Sequence, residues 1–171
     1  MCIRDSASAE LVAKGAYTLL DTDGTPDVVL IGTGSEVQLA VNARAALAAE
    51  GIAARVVSMP CREWFEQQDA SYRDDVIPPN VRARVSVEAG VGLGWRDIVG
   101  DAGRVIGLEH YGSSADFEKL YDAFGITAES VAAAAKDSIA EAAAIGGGPV
   151  PVHVRPAGPF GPGNNPQAPA H

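Results

Sequence analysis

The chain has 171 residues, with 22 Asp and Glu against 13 Lys and Arg and a formal net charge of -9 at pH 7. This length is enough for one well-packed core and short for two, so one domain is expected. Scattered basic residues argue against nucleic-acid binding, and no apolar run reaches the about 20 residues that cross a bilayer. The absence of a signal pattern predicts a cytoplasmic protein, in which Cys2 and Cys61 stay reduced.

Both ends of the chain differ from the rest. Residues 1–6, MCIRDS, belong to no evident element and are interpreted as a non-native or scar segment. Residues 145–171 are rich in Gly and Pro with little apolar periodicity, which predicts a disordered tail. The folded domain is therefore expected to span residues 7–144.

Within these limits, short apolar runs alternate with helical stretches. After a helical segment at 7–14, the strand candidates lie at 27–31, 54–58, 82–87 and 104–108. Helices are predicted at 36–50, 114–124 and 127–144, the last with an N-cap near Thr127. This alternation predicts an α/β fold: a three-layer, open, mostly parallel sheet with helices on both faces.

The strand at 27–31 continues into a Gly-rich turn, GTGSE at 32–36, that begins a helix. Backbone N–H groups in such a turn can bind phosphate. The dinucleotide motif is incomplete because Val37 stands in place of its third Gly, and Glu36 would repel a phosphate. Thr33 and Glu36 have the spacing of a capping box, so a helix start is favoured over a phosphate site.

Cys61 follows a predicted strand and precedes a helical segment at 63–67, where a helix N-terminus could activate its thiol. A nucleophilic Cys also needs a base, and among the three His only His110 lies in the predicted domain. A capping or packed thiol is therefore favoured over a catalytic one.

Two acidic positions follow predicted strands, at the edge where open α/β sheets hold ligands. These are Glu88 and Glu109, which would face one crevice if their strands were neighbours. Salt bridges at an interface are the favoured alternative. A third acidic position, in Gly100-Asp101-Ala102, is similar to the start of the Gly-Asp-Gly metal motif of thiamine diphosphate enzymes. It lacks that motif's third Gly and its Asn, so a turn is favoured.

A series of motifs runs along the predicted domain: Gly15-Ala16-Tyr17, DVVLIGTGSEVQLAV at 27–41, ARVVSMPCREWFEQQDASYRDDVIPP at 54–79, VSVEAG at 85–90, Gly94-Trp95 and HYGSSA at 110–115. In this order and spacing they resemble the C-terminal domain of transketolase, over about residues 7–144. The turn Met59-Pro60-Cys61 and the residues after it resemble transketolase more than deoxyxylulose-phosphate synthase or the β subunits of 2-oxoacid dehydrogenases.

The resemblance implies a parent enzyme that transfers a two-carbon ketol unit between sugar phosphates in the pentose phosphate pathway, using thiamine diphosphate and magnesium. In the family, the residues that bind cofactor and substrate belong to the two preceding domains. None has a matching position here. The resemblance therefore implies no catalytic, cofactor-binding or metal-binding residue in this chain, and no cofactor bound to it.

The resulting hypothesis is a C-terminal fragment of a transketolase. Its expected role is to support the homodimer and the other domains, without activity of its own. The alternative is a free-standing α/β sensor that binds a small molecule at the turn from Gly32 to Ser35 and at the strand ends.

Overall fold

The computed structural model describes residues 9–109, 111–146, 148–150 and 152–153. The described part contains five strands, seven α-helices and two short 3-10 turns. In chain order the elements are α1 (Ala9–Ala13), β1 (Tyr17–Leu20), β2 (Val28–Gly32), a 3-10 turn (Gly34–Glu36), α2 (Val37–Ala49), β3 (Ala54–Ser58), α3 (Arg62–Glu66), α4 (Ala70–Val76), β4 (Arg84–Val87), a 3-10 turn (Gly92–Gly94), α5 (Arg96–Val99), β5 (Arg104–Ile106), α6 (Phe117–Phe124) and α7 (Ala128–Ile145). No helix in this part has the length and hydropathy to cross a membrane.

The strands form one sheet in the order β1-β3-β2-β4-β5. The pairs β2–β3, β2–β4 and β4–β5 are parallel, and only the edge strand β1 runs antiparallel to its neighbour. All five residues of β2 are buried, because this strand lies at the centre of the sheet and is covered on both faces. The predicted mostly parallel α/β sheet is confirmed.

Alternate side chains of β2 enter two different cores. Val28 and Leu30 pack with residues of α2 and α7, whereas Val29 and Ile31 pack with residues of α3, α4 and α5. Because successive side chains of a strand point to opposite faces, this division places helices on both sides of the sheet. The structure is therefore three-layered, as the sequence predicts.

The structure adds a strand and two helices that the sequence did not indicate. The strand is β1, four residues long and half-buried along most of its length, which pairs with β3 through an irregular register. The helices are α4 and α5, seven and four residues long. Elements this short carry too little periodicity to be recognised without their tertiary contacts.

The ends of the last two helices follow from local chemistry. Asp116 accepts a hydrogen bond from the Glu118 N–H at the start of α6, and α6 ends at Gly125, whose φ is 69°. Thr127 accepts a hydrogen bond from the Ser130 N–H at the start of α7. The predicted N-cap at Thr127 is thus confirmed, and the helix continues to Ile145.

Contacts of the chain continue past the domain boundary that the sequence predicts at Ala144. The Val150 N–H donates to the Pro79 carbonyl at 2.6 Å, and the His153 N–H donates to the Asp97 carbonyl at 3.0 Å. Val152 is buried in the core that contains α3. Residues 148–150 and 152–153 therefore pack on the domain. The segment at 1–6, Cys2, His110 and the rest of the tail from 154 lie outside the described residues.

Candidate functional site

A cleft of about 410 Å³ lies at the carboxyl ends of β2, β3 and β4. The chain passes from β2 to β3 on one side and later to β4 on the other, so the loops after these strands diverge here. Such a point is where open α/β sheets hold their ligands. The walls include Thr33 after β2, Cys61 and Arg62 after β3, and Glu88 and Trp95 after β4.

The Gly-rich turn brings strand and helix very close together. A Cβ atom on Gly32 would lie 2.8 Å from the Cα of Val37, so a side chain at this position would push the helix away from β2. This close approach accounts for a glycine at the strand end without any ligand.

The capping box predicted for Thr33 and Glu36 is wrong. Thr33 precedes the 3-10 turn, and its side chain makes no capping hydrogen bond. Because that turn intervenes, Glu36 stands at the N-cap of α2 and not in its first turn. A capping box needs two reciprocal bonds, from the N–H of Glu36 to the Thr33 side chain and from the N–H of Thr33 to the Glu36 side chain. The 3-10 turn does not provide the geometry for these bonds.

The Glu36 carboxylate is instead buried and held by two hydroxyl groups. Ser35 donates to it at 3.0 Å, and Tyr121 of α6 donates to the same oxygen. Burial and the hydrogen bond to Glu36 raise the pKa of Tyr121 above its ordinary value. A negative charge held at the start of α2 repels a phosphate from this turn.

Cys61 is the N-cap of α3 and is half-buried. Its Sγ lies 3.6 Å from a carboxylate oxygen of Glu63. A neighbouring carboxylate is not the electropositive setting that a nucleophilic Cys needs. His110, the histidine in the predicted domain that could have served as its base, lies outside the described residues.

Arg62 is the cation of the cleft, and the sequence reasoning did not single it out. Its guanidinium donates to Glu66 at 2.5 Å and to Asp97 at 3.0 Å, and also to the Gly94 carbonyl. Burial opposes the charge of Arg62, but these two carboxylates outweigh it and raise the pKa of the guanidinium. The side chain therefore joins α3 to the 3-10 turn at Gly92–Gly94 and to α5, and two carboxylates already balance its charge.

Glu88 and Glu109 do not share one crevice, although β4 and β5 are neighbours. Glu88 lines the 410 Å³ cleft and accepts a hydrogen bond from the Trp95 indole at 2.7 Å. Glu109 lines a separate hollow of about 280 Å³ with Val91, Leu108 and Tyr111. Neither carboxylate forms an ion pair with another residue of the described part.

Asp101 lies in a bend before β5 and has protein partners. It accepts hydrogen bonds from the Arg82 guanidinium at 2.5 Å and from the Ala102 N–H at 2.8 Å. The hydrogen bond from Arg82 lowers the pKa of Asp101 and outweighs the opposing effect of burial. Across the described residues, no cluster of three or more His, Cys, Asp or Glu has the arrangement of a metal site.

The cleft is therefore acidic and internally bonded. Glu63 and Glu88 face it, while the charge of Arg62 is balanced by Glu66 and Asp97. A diphosphate with its magnesium ion needs N–H donors, free cations or spare carboxylate ligands in a suitable cluster. These residues do not fit that group.

Comparison with known proteins places this geometry in a family. The sequence model of the transketolase-like TK C-terminal domain matches residues 15–127. Transketolase of Mycobacterium tuberculosis (strain H37Rv) is 55% identical over 142 residues, which are 80% of this chain and 20% of that protein.

Two solved structures have a similar fold. Transketolase from Leishmania mexicana has a TM-score of 0.76 and 38% identity, over 86% of this chain and 21% of that one. Transketolase from Pichia stipitis, in complex with sedoheptulose-7-phosphate, has a TM-score of 0.77 and 34% identity, over 89% of this chain and 21% of that one. The chain thus spans about a fifth of the length of these relatives. It belongs to the transketolase C-terminal domain family.

Proposed function

We propose that this chain is the C-terminal part of a transketolase. The observation that carries the proposal is the 55% identity to a domain-sized fifth of the M. tuberculosis enzyme. The parent enzyme would transfer a two-carbon ketol unit between sugar phosphates in the cytoplasm, with thiamine diphosphate and magnesium as cofactors. The Pichia stipitis relative in complex with sedoheptulose-7-phosphate supports sugar phosphates as the substrate class.

Within that enzyme, the proposed role of this chain is structural: it stabilises the homodimer and supports the preceding domains. The acidic cleft supports this role, because Arg62 and Glu88 are used for internal bonds and the lining does not fit a diphosphate. The cofactor would be held by the rest of the enzyme, and no catalytic residue is assigned to this chain. Alone, the chain is expected to fold without catalysing the reaction.

A coupled transketolase assay tests this proposal. The purified chain is given thiamine diphosphate, magnesium and pentose phosphates, and no turnover above the blank is expected. A chimera in which this chain replaces the corresponding fifth of the M. tuberculosis enzyme should be active. Turnover by the isolated chain, or an assembled chimera without activity, would count against the proposed function.

The alternative is a sensor that binds a small molecule in the 410 Å³ cleft, whose position at the sheet edge favours ligand binding. Calorimetric titration with nucleotides and sugar phosphates separates the two proposals. Saturable micromolar binding that Gly34→Trp abolishes would favour the sensor. Gly24→Trp is the control, because Gly24 also has a positive φ and open space around it but lies outside the turn.

A further inference from the structure

After α7 the chain returns to the domain and is hydrogen-bonded there through its backbone. We name residues 149–153 of this segment the clasp. The Val150 N–H donates to the Pro79 carbonyl at 2.6 Å, and the Arg84 guanidinium donates to the Val150 carbonyl. Because both backbone groups of Val150 are bonded, the domain recognises the main chain of the clasp at this residue.

The clasp contacts two parts of the domain. One is the loop before β4, which supplies the Pro79 carbonyl, and the other is α5 with the bend after it. The Asp97 carbonyl of α5 accepts a hydrogen bond from the His153 N–H at 3.0 Å, and a Cβ on Gly100 would lie 3.2 Å from a methyl group of Val150. We name the surface that these two parts form the clasp groove, residues 78–84 and 96–100.

A single side chain anchors the described residues of the clasp in the core. Val152 is 8% exposed and belongs to the core that includes Ile77 and Ile98. The side chains of Pro149 and His153 are exposed. The clasp is therefore held by backbone hydrogen bonds and one apolar anchor, which is how a docked peptide is held in a groove.

The sequence of the clasp also suits docking as a separate peptide. Val150 stands between Pro149 and Pro151. Proline has no N–H and restricts the residue before it to extended angles, so such a segment loses little conformational entropy when it binds. Its carbonyls need donors from the partner, and Arg84 supplies one to the carbonyl that precedes Pro151. The groove is therefore suited to an extended Pro-Val-Pro-Val peptide.

Three consecutive glycines, residues 146–148, connect α7 to the clasp, and glycine restricts the backbone least. Arg82 donates to the carbonyl of Gly146 at 2.6 Å and to that of Gly148 at 3.2 Å. The Arg82 Nε atom, however, is buried and has no hydrogen-bond partner among the described residues. A buried donor without a partner destabilises the closed arrangement, which favours release of the clasp.

We propose that the clasp groove is a docking site for extended peptides with the Pro-Val-Pro-Val pattern, and that the chain's own clasp occupies it reversibly. A closed clasp excludes such a peptide, and an open clasp admits it. The groove lies beside the amino end of β4, whereas the 410 Å³ cleft lies at the carboxyl end of this strand. The docking site is therefore separate from the cleft and goes beyond the proposed transketolase role.

Peptide binding to the full chain tests the docking site. A fluorescent peptide with the sequence of residues 148–155 is titrated into the wild-type chain and into Val152→Asp, and anisotropy is measured. A charge at position 152 disfavours burial of the chain's own clasp. Val152→Asp should therefore bind the peptide at least about tenfold more tightly than the wild type, because its groove is open for a larger fraction of the time.

Two controls accompany this titration. Ala144→Asp adds the same charge at an exposed position of α7, before the glycines, and should bind the peptide as weakly as the wild type. A peptide that itself carries Val152→Asp lacks the apolar anchor, and it should bind the open groove at least about tenfold less tightly than the unchanged peptide.

A second variant opens the groove without a substitution in the clasp or the core. A protease site is inserted after Gly147, and the purified chain is cleaved there. Cleavage removes the high effective concentration of the tethered clasp, so the apparent affinity for the labelled peptide should rise at least about tenfold. This arm remains informative if Val152→Asp does not fold.

Three results would overturn the docking site: equal peptide binding before and after cleavage, no binding to the cleaved chain, or undiminished binding of the peptide with Val152→Asp. Wild-type dimers that become monomers in Val152→Asp would assign the groove to the clasp of a second copy and contradict occupation by the chain's own clasp. All of these readouts are independent of catalysis, so the test of the proposed function stands apart from them.

Discussion

The hydroxyl of Tyr121 donates a hydrogen bond to the carboxylate of Glu36, which lies 85 positions earlier in the chain. The contact joins α6 to the turn after β2, across one end of the sheet. It also explains how an acidic side chain is tolerated at a buried position, because its oxygen is satisfied by two hydroxyl groups.

Tyr121→Phe removes one of these donors and leaves the buried carboxylate with Ser35 alone. We expect a loss of about 1–2 kcal/mol in the free energy of unfolding, measured in urea. In a double-mutant cycle with Glu36→Gln, the two substitutions should be coupled. Additive effects would show that the hydrogen bond contributes nothing to stability.

The raised pKa of Tyr121 predicts a loss of stability at high pH. Burial, together with the bond to Glu36, raises the pKa of Tyr121 in the folded chain. The contribution of Tyr121 to the free energy of unfolding is therefore fully present below the pKa of an unfolded tyrosine, about 10. It is lost as the pH rises through the higher pKa of the folded chain. Between pH 9 and 11 the wild-type chain should lose more stability than Tyr121→Phe. Tyr72 also has a raised pKa, through burial and Asp75, and is retained in both proteins.

The sequence predicts the parallel strands because β2 is a continuous apolar run and β3 is centred on two valines, and each is buried along its whole length. It does not predict the Tyr121–Glu36 contact, since no local pattern relates two residues 85 positions apart. The sequence identifies Cys61 and Glu88, which lie beside the cleft. It does not identify the bond from Arg62 to Asp97, because these residues too are far apart in the chain. The capping box fails because its spacing does not reveal the intervening 3-10 turn.

Asp21 and Arg55 form a bidentate ion pair that ties the end of β1 to β3, with both distances below 3 Å. Burial raises the pKa of Asp21, but the hydrogen bonds from Arg55 and the Thr22 N–H outweigh it and bring the pKa below 3.8. The stabilisation is therefore present above pH 3.8 and is lost as the pH falls through the folded value.

Asp21→Asn should lower the free energy of unfolding at pH 7 by less than about 1 kcal/mol, since half of the Asp21 side chain is exposed and screened. The difference from wild type should shrink as the pH falls below 3.8 and through the folded pKa, where the Asp21 carboxylate takes up a proton. Glu50→Gln, in the exposed pair with Lys136, is the control and should change stability by no more than about 0.3 kcal/mol. A difference that persists unchanged at pH 3 would contradict this assignment.

Gly15 and Gly24 have nearly the same backbone angle, with φ of 84° and 85°, but different surroundings. A Cβ on Gly15 would lie 2.3 Å from the Cys61 carbonyl oxygen, whereas a Cβ on Gly24 meets nothing within 4 Å. Gly24→Ala should therefore cost only the strain of a positive φ, about 1–2 kcal/mol.

Gly15→Ala adds a collision with the backbone of α3 to that strain, and we expect a loss of more than about 3 kcal/mol or failure to fold. Thermal unfolding of both variants measures the difference. If the two lose equal stability, the close packing of the α1–β1 connection on α3 is disproved.

Arg84 is fully buried and has carbonyl groups, not carboxylates, as its partners. Its guanidinium donates to Val81 at 2.9 Å and to Ile98 at 3.0 Å, and also to Pro78 and Val150. Burial lowers the pKa of Arg84 to about 10, which leaves the side chain charged at neutral pH. One cation thus joins β4 to α5 and to the segment after α7.

Arg84→Met keeps the length of the side chain but leaves buried carbonyls without donors, so the free energy of unfolding should fall by about 2–4 kcal/mol. Arg104→Met on β5 is the matched control, because its pair with Glu141 is exposed at both ends, and it should cost no more than about 0.5 kcal/mol. Urea unfolding measures both.

Hydrogen exchange adds a local test: the Val150 and His153 amides should lose protection in Arg84→Met before the sheet does, since the Val150 carbonyl loses its donor. Unchanged protection at these two amides would show that Arg84 does not hold the segment after α7.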